Sequence, residues 1–295
     1  MSTTDNTASA LGIPPRRLDM RFDAQEMERY WYGKDPFLTL FWGSLSLLFP
    51  EGERFFVDAV RHYRDQIEDP KLLADIAGFI GQEAMHSREH EALNAMLNQQ
   101  HLPAAEIDAQ LHKLLTLVTR LTSPRLRLAA TCALEHYTAL MGEQLLRDER
   151  HQHMGDAKML PLWLWHALEE TEHKTVAYDV YEQTGGGYAL RVSTMALTTV
   201  IFVAFTAYTQ VRMLKADGQL GKVRQSLRGL NYLFGPRGLF IGLSGKFLDY
   251  FKPGFHPRQH ETDILVKIWR ERLFGEQGLL RDQVKMVKTR TAQAA

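Results

Sequence analysis

Apolar residues return at three- and four-residue intervals through most of the chain, and the strict alternation of a half-buried strand is almost absent. The fold class this predicts is all-α. An aromatic run from Phe37 to Phe49 predicts a short buried helix, closed by Pro50-Glu51-Gly52. A helix from about Glu51 to Ile67 follows, and Glu68-Asp69-Pro70 forms a turn because proline disfavours helix in the residue before it. Further helices are predicted from about Lys71 to Gln100 and over 104–121. Ser123 as N-cap with Pro124 behind it starts another, reaching about Asp148. His151 to Gly155 reads as a polar connector. One helix then runs on until Gly185-Gly186-Gly187 stops it.

The pattern changes after that stop. Val192 to Val211 is twenty residues without a charge, flanked by Arg191 and Arg212. Three readings compete for it: a core helix beside the bundle, a helix in a membrane interface, or a membrane span, for which the length suffices. Seven Ser, Thr or Gln residues in the stretch weigh against spanning. Gly and Pro break up 229–258, a last amphipathic helix covers roughly Glu261 to Phe274, and a basic, frayed tail ends the chain. The division expected is a disordered start over 1–14, a helical bundle over 15–187, and C-terminal helices packing on it over 188–295.

Within this pattern one stretch, Trp163 to Asp179, carries polar groups where a buried helix should be apolar. His166, Glu170 and His173 stand at offsets 0, 4 and 7, which fall at about 0°, 40° and 340° around a helix. Trp163, Leu164, Trp165, Ala167, Val176 and Ala177 surround them, where a solvated face would carry Lys or Arg. Two imidazoles and a carboxylate in apolar surroundings need partners, and a metal ion satisfies all three.

Di-iron sites in helical bundles use one Glu from each of two helices and a Glu-x-x-His pair from each of two others. Both pairs are present, Glu83 with His86 and Glu170 with His173. A candidate single carboxylate precedes each: Glu53 lies 30 residues before Glu83, and Glu135 lies 35 before Glu170. With a turn near Asp69 and about 1.5 Å of rise per residue, Glu53 and Glu83 come within about 3 Å in height; a turn near Gln152 levels Glu135 with Glu170. Four carboxylates neutralise two divalent ions, and two imidazoles cap them while leaving positions open.

Competing readings attach to some of these residues. Glu53 suits a first-turn position near the helix dipole, and His166 suits a core histidine bonded to a carbonyl. His90, at offset 7 from Glu83, is either a further ligand or a group that orients one. Glu169 and Glu172 lie off the stripe, in surface or supporting positions, although the choice of Glu170 over Glu169 is open by one residue. His136 points away from Glu135, and Cys132 reads as a small core residue.

Composition narrows the classes. With 35 basic and 35 acidic residues the formal charge is +0, so nucleic acid is not an expected partner. A hydrophobic content of 45% supports a substantial core. One cysteine excludes a disulfide framework and suits a reducing compartment, and residues 1–10 lack the order of a secretion signal. The expected location is cytoplasmic, with membrane attachment as the alternative.

The words GQEAMHSREH, ALEHYTA and WLWHALEETEHKTVAYDVY resemble a bacterial family labelled "predicted metal-dependent hydrolase", over roughly residues 35–280. The site pattern also resembles the arylamine N-oxygenases of the ferritin-like di-iron class. The resemblance implies a ferritin-like bundle and a ligand set of Glu53, Glu83, His86, Glu135, Glu170 and His173, with His166 matching an extra histidine four residues before the last Glu. The resemblance to the oxygenases stops after residue 188.

The function expected is therefore a non-haem di-iron oxidase or oxygenase activating O2 to oxidise an apolar or amine-bearing small molecule. Two iron ions are the expected cofactors, with manganese or zinc as substitutes. A di-metal hydrolase is the runner-up and a non-catalytic metal-binding bundle the third reading. The expected partners are O2, a small organic substrate and an electron-donor protein, with a peripheral membrane contact through 192–211 and a homodimer as open alternatives.

Overall fold

The computed structural model describes residues 12–286; 1–11 of the expected disordered start and 287–295 of the tail lie outside the described residues. The fold is all-α, as the periodicity predicts. The helices begin where the sequence supplies caps. Asp35 accepts from the amide of Leu38 at 3.0 Å to start α1 (Pro36–Ser46), which is buried along its whole length. α2 (Phe49–Arg61) follows after two residues. Asp69 caps α3 (Pro70–Gln99) through the amide of Lys71 at 2.9 Å. α4 (Ala104–Leu121) leads to Ser123, whose hydroxyl caps α5 (Pro124–Arg147).

Two expectations fail in the next stretch. The polar connector is α6 (Glu149–Met154), because Asp148 accepts from the amide of Arg150 at 3.0 Å and nucleates a turn. His151 in it is buried, 3.1 Å from the hydroxyl of Tyr32. The single helix up to the glycines is two, α7 (Leu160–His173) and α8 (Val176–Gln183). They part at Lys174-Thr175, where the Lys174 ammonium is drawn to the His260 carbonyl and the Thr262 hydroxyl. The glycine stop holds: Gly185 adopts φ +80°, a left-handed conformation open to glycine.

α9 (Tyr188–Ala216) extends beyond the uncharged stretch at both ends and packs on α5 and α1. It is long and apolar enough to cross a membrane. The core-helix expectation for 192–211 is corrected here: Leu197, Val200, Ile201, Val203 and Val211 are exposed along its outer side. α10 (Val223–Phe234), α11 (Ser244–Asp249) and α12 (Asp263–Phe274) complete the helices. Part of the expected frayed tail is ordered: β1 (Arg16–Arg17) pairs antiparallel with β2 (Lys285–Met286). Gly12–Pro14, expected in the disordered start, belongs to an arm laid on α3, where Gln82 donates to the carbonyl of Pro14.

α2, α3, α7 and α5 pack in a closed ring, each against the next. Gly142 sets the closest approach. A Cβ there would lie 2.7 Å from the carbonyl oxygen of Ala167 and 3.3 Å from Cβ of Glu170, so α5 and α7 meet backbone to backbone. The apolar core divides into two clusters along this ring. On α3, Leu72, Ile76 and Phe79 belong to one, and Leu93, Met96 and Leu97 to the other. α5 divides the same way, Leu128 to Ala133 against Leu145 and Leu146, as does the α7–α8 segment, Trp163 to Leu168 against Val176 to Tyr181. Between the clusters, at matching places on each element, lies a belt of buried Glu and His.

Candidate metal centre

The belt brings the expected residues together. Glu53 comes from α2, Glu83 and His86 from α3, Glu135 from α5, and His166, Glu170 and His173 from α7; all seven are buried. Two four-residue groups form, each with its potential donor atoms within 4.8 Å of one another: Glu53, His86, His166 and Glu170; and Glu83, His86, Glu170 and His173. His86 and Glu170 are common to both. Nε2 of His166 lies 3.0 Å from Oε1 of Glu170, and Nε2 of His173 lies 3.0 Å from Oε1 of Glu83. The His86 and His166 rings stack at 4.1 Å. Glu135 is in neither group. Its Oε2 lies 3.1 Å from Nδ1 of His173, which turns the other ring nitrogen toward Glu83.

The residues with competing readings take different places around the cluster. Glu170 faces three histidines, His166, His86 and His173. Glu169 touches the cluster only at Nε2 of His86, at 3.2 Å, and is anchored from behind by Arg16 at 2.7 Å. His90 lies behind His166 and outside both groups, its Nε2 2.8 Å from Nδ1 of His166.

That contact belongs to a chain of hydrogen bonds whose protons can be assigned. Asn94 donates to the carbonyl of Ser46, so its oxygen accepts from the Ser46 hydroxyl at 2.7 Å. The hydroxyl oxygen then accepts from Nδ1 of His90 at 2.9 Å, which leaves Nε2 of His90 to accept from Nδ1 of His166. His166 thus presents a bare Nε2 lone pair to a carboxylate oxygen 3.0 Å away. With a neutral His166 ring, two electron pairs face each other there, a contact that a metal ion or a proton between them would relieve. The partner of the outer ring nitrogen fixes which nitrogen a metal sees.

Buried atoms without a hydrogen bond gather here: both oxygens of Glu83, both nitrogens of His86, one oxygen each of Glu53, Glu135, Glu169 and Glu170, and Nε2 of His166 and His173. The short approaches among them lack hydrogen-bond angles. Each buried polar group left unpaired costs about 1–3 kcal/mol, so ten together demand a compensating partner. Charge points the same way. Burial, then Glu83, pushes the Glu53 carboxyl well above its ordinary range; burial, then Glu170, does so for Glu83. Burial raises Glu135 to about 7, against the pull of His173, and Glu169 to about 8, against the pull of Arg16. Burial, with His166 beside it, holds His86 well below the ordinary histidine range, so the ring is neutral and one of its nitrogens offers a lone pair. His173 goes the other way: burial lowers it, but Glu135 and Glu170 outweigh burial. Oxygen and imidazole donors of this kind suit a divalent iron, manganese or zinc ion.

Several supporting residues carried no signal in the sequence. Arg16, buried, binds both Glu169 and Glu172 from the N-terminal arm, 153 and 156 residues away. Gln82 and Arg270 complete the partners of Glu172, at 2.6 and 2.5 Å. Ser87 donates to Oε2 of Glu53 at 2.8 Å, which leaves Oε1 free. His136 makes no hydrogen bond in the belt; its Nε2 faces the Lys246 carbonyl and its ring lies tilted against Tyr250, while Cys132 donates to the carbonyl of Ala177.

The fold and the belt together define a helical protein with a buried carboxylate–histidine centre able to hold metal. The chain matches, over residues 14–261, the family described as "Predicted metal-dependent hydrolase", and it belongs to that family. No curated protein matches it, and no solved structure does.

Proposed function

We propose that the protein is a di-iron oxidase or oxygenase acting on an apolar small molecule. The observation that carries this is the pair of four-residue groups sharing His86 and Glu170, set against an apolar cavity. Glu53, His166 and Glu170 would hold one ion and Glu83, Glu170 and His173 the other. Glu170 has two oxygens and can serve both, whereas His86 serves one. Glu135 holds the His173 ring in place. Bound ferrous iron would supply electrons to O2, and an electron-donor protein would restore them. A ferritin-like relationship is part of this proposal, resting on the two Glu-x-x-His pairs and the two lone carboxylates.

The surroundings bear on the substrate. Glu53 forms part of the wall of a cavity of about 120 Å³ whose other walls include Leu48, Phe49, Phe56 and Met141. Such walls exclude water and offer few groups to bind a polar, hydrolysable substrate. The family description favours a second reading, hydrolysis, in which the same donors hold zinc or manganese for water activation.

Anaerobic loading with ferrous iron, followed by air, separates the readings. Two irons per chain, O2 uptake and a new visible absorption band support the oxygenase. Iron protein inert in air, with zinc protein cleaving an ester or phosphate ester, supports the hydrolase. Many irons per chain would mean storage.

A further inference from the structure

A cavity of about 740 Å³ is walled by α1, α5, α9, α10 and the segment from α10 into α11. That volume lies within the roughly 300–1,000 Å³ of small-molecule sites. Its lining is almost entirely apolar, and it shares Leu45, Tyr137, Met141 and Phe202 with the smaller cavity that reaches Glu53. The two are therefore neighbouring apolar cavities with a shared wall, and the inner one reaches Glu53.

The mouth has a distinct character. Val223, Leu227, Leu230 and Phe234 fall on one face of α10, line the cavity and remain exposed. Arg224 and Arg228 follow Val223 and Leu227 directly and are exposed, as are Lys215, Lys222 and Arg237. None of these five makes an ion pair among the described residues. The two carboxylates of segment 212–252 are engaged elsewhere, Asp217 with Arg29 and Tyr30, Asp249 with Lys252 and His260. An apolar cavity walled by a helix that also carries exposed cations without an ion pair among the described residues matches a molecule with a hydrocarbon chain and an anionic head.

We propose that the two cavities together bind a long-chain anionic amphiphile, its chain displacing the shared side chains between them and its carboxylate or phosphate head among the basic residues around α10. Calling that ligand the substrate rests on the metal reading above; its binding does not. The chain would run past Met141 and Tyr137, and the end remote from the head would approach Glu53. Such a ligand could arrive free or from a bilayer.

The test uses the full chain, metal-free, titrated with palmitate by calorimetry, with iron content measured separately on the same variants. Saturable binding of one palmitate per chain is expected. Ala207→Trp, which fills the outer cavity from an exposed wall position, should weaken it at least tenfold. Arg224→Glu with Arg228→Glu should weaken it severalfold at low salt but leave binding of the neutral C16 alcohol unchanged. Absence of saturable binding overturns the proposal, as does palmitate affinity unmoved by Ala207→Trp or by the charge reversal. Co-sedimentation with phosphatidylglycerol vesicles, lost in the same variants, would identify a bilayer source; palmitate binding without sedimentation would identify a free one, and either supports the proposal. In the wild-type protein, absence of palmitate binding with iron bound refutes this inference alone, and absence of iron binding with palmitate bound refutes the metal reading alone.

Discussion

Replacing Glu53 by Gln should stabilise the metal-free protein and weaken its response to metal. In the first four-residue group the donor atoms of Glu53 and Glu170 lie within 4.8 Å. If both carboxylates are ionised, their repulsion at an effective dielectric of about 20 is at least about 3 kcal/mol. If Glu53 instead takes up a proton, holding it at pH 7 against an ordinary value of 4.5 costs about 3.4 kcal/mol, at about 1.4 kcal/mol per pH unit. Either way the carboxylate costs the empty fold about 3 kcal/mol, and Gln removes that cost while keeping the hydrogen bond from Ser87. At about 2 °C per kcal/mol for a chain of this size, Tm without metal should rise by about 6 °C.

Metal reverses the order. An ion at a hundredfold its Kd adds about 2.7 kcal/mol, so two ions should raise the wild-type Tm by about 10 °C. Glu53→Gln should keep about half of that rise and bind one iron, whereas Glu170→Gln, which touches both groups, should lose nearly all of it and bind none. Calorimetric melting with chelator and with ferrous iron under nitrogen, alongside iron analysis, reads both quantities. An unchanged or lowered metal-free Tm in Glu53→Gln, with the full metal-induced rise retained, would refute the reasoning.

Three further outcomes follow from the geometry. His90→Ala removes the acceptor that holds Nδ1 of His166; metal affinity should fall about 10–100-fold with stoichiometry intact, measured by chelator competition. Gly142→Ala should push α7 away from α5 at Glu170, destabilising the fold by about 1–3 kcal/mol and lowering metal affinity, as denaturant melts and the same competition would report. Burial holds His136 and His151 down at about 3, below their unfolded value of 6.5, so unfolding takes up protons as the pH falls. Their stability contribution is complete above about pH 6.5 and is lost toward pH 3, at about 1.4 kcal/mol per pH unit for each histidine. His151→Phe should reduce the slope of stability against pH between 6 and 4 by one proton.

Much of the candidate centre was legible because its residues sit on helices, where spacing translates directly into a face. His166, Glu170 and His173 share a stripe by periodicity, and Glu53 and Glu83 reach a common level because a short turn makes their counts match. Glu135 is a different case: its level is right, but its side chain ends on the back of His173, and the rotamer follows from packing that no count describes. The helix break at Lys174-Thr175 is not legible in the sequence because no Pro or Gly marks it, and the pull on Lys174 comes from residues almost ninety positions later. The uncharged stretch misled in a similar way. Absence of charge says a helix tolerates apolar surroundings, not which of its sides receives them, and α9 turned out half covered.

The amino-acid order alone determined an all-α chain, most helix ends, and which acids and imidazoles could meet, because capping, proline placement and helical period are local physics. Tertiary structure decided what stands behind them. Arg16 reaches Glu169 and Glu172 from the far end of the chain, His90 and Ser46 orient the His166 ring, and two neighbouring apolar cavities lie between α10 and Glu53. Those contacts join residues tens to more than a hundred positions apart, and only the packing of one helix against another brings them within a few ångströms.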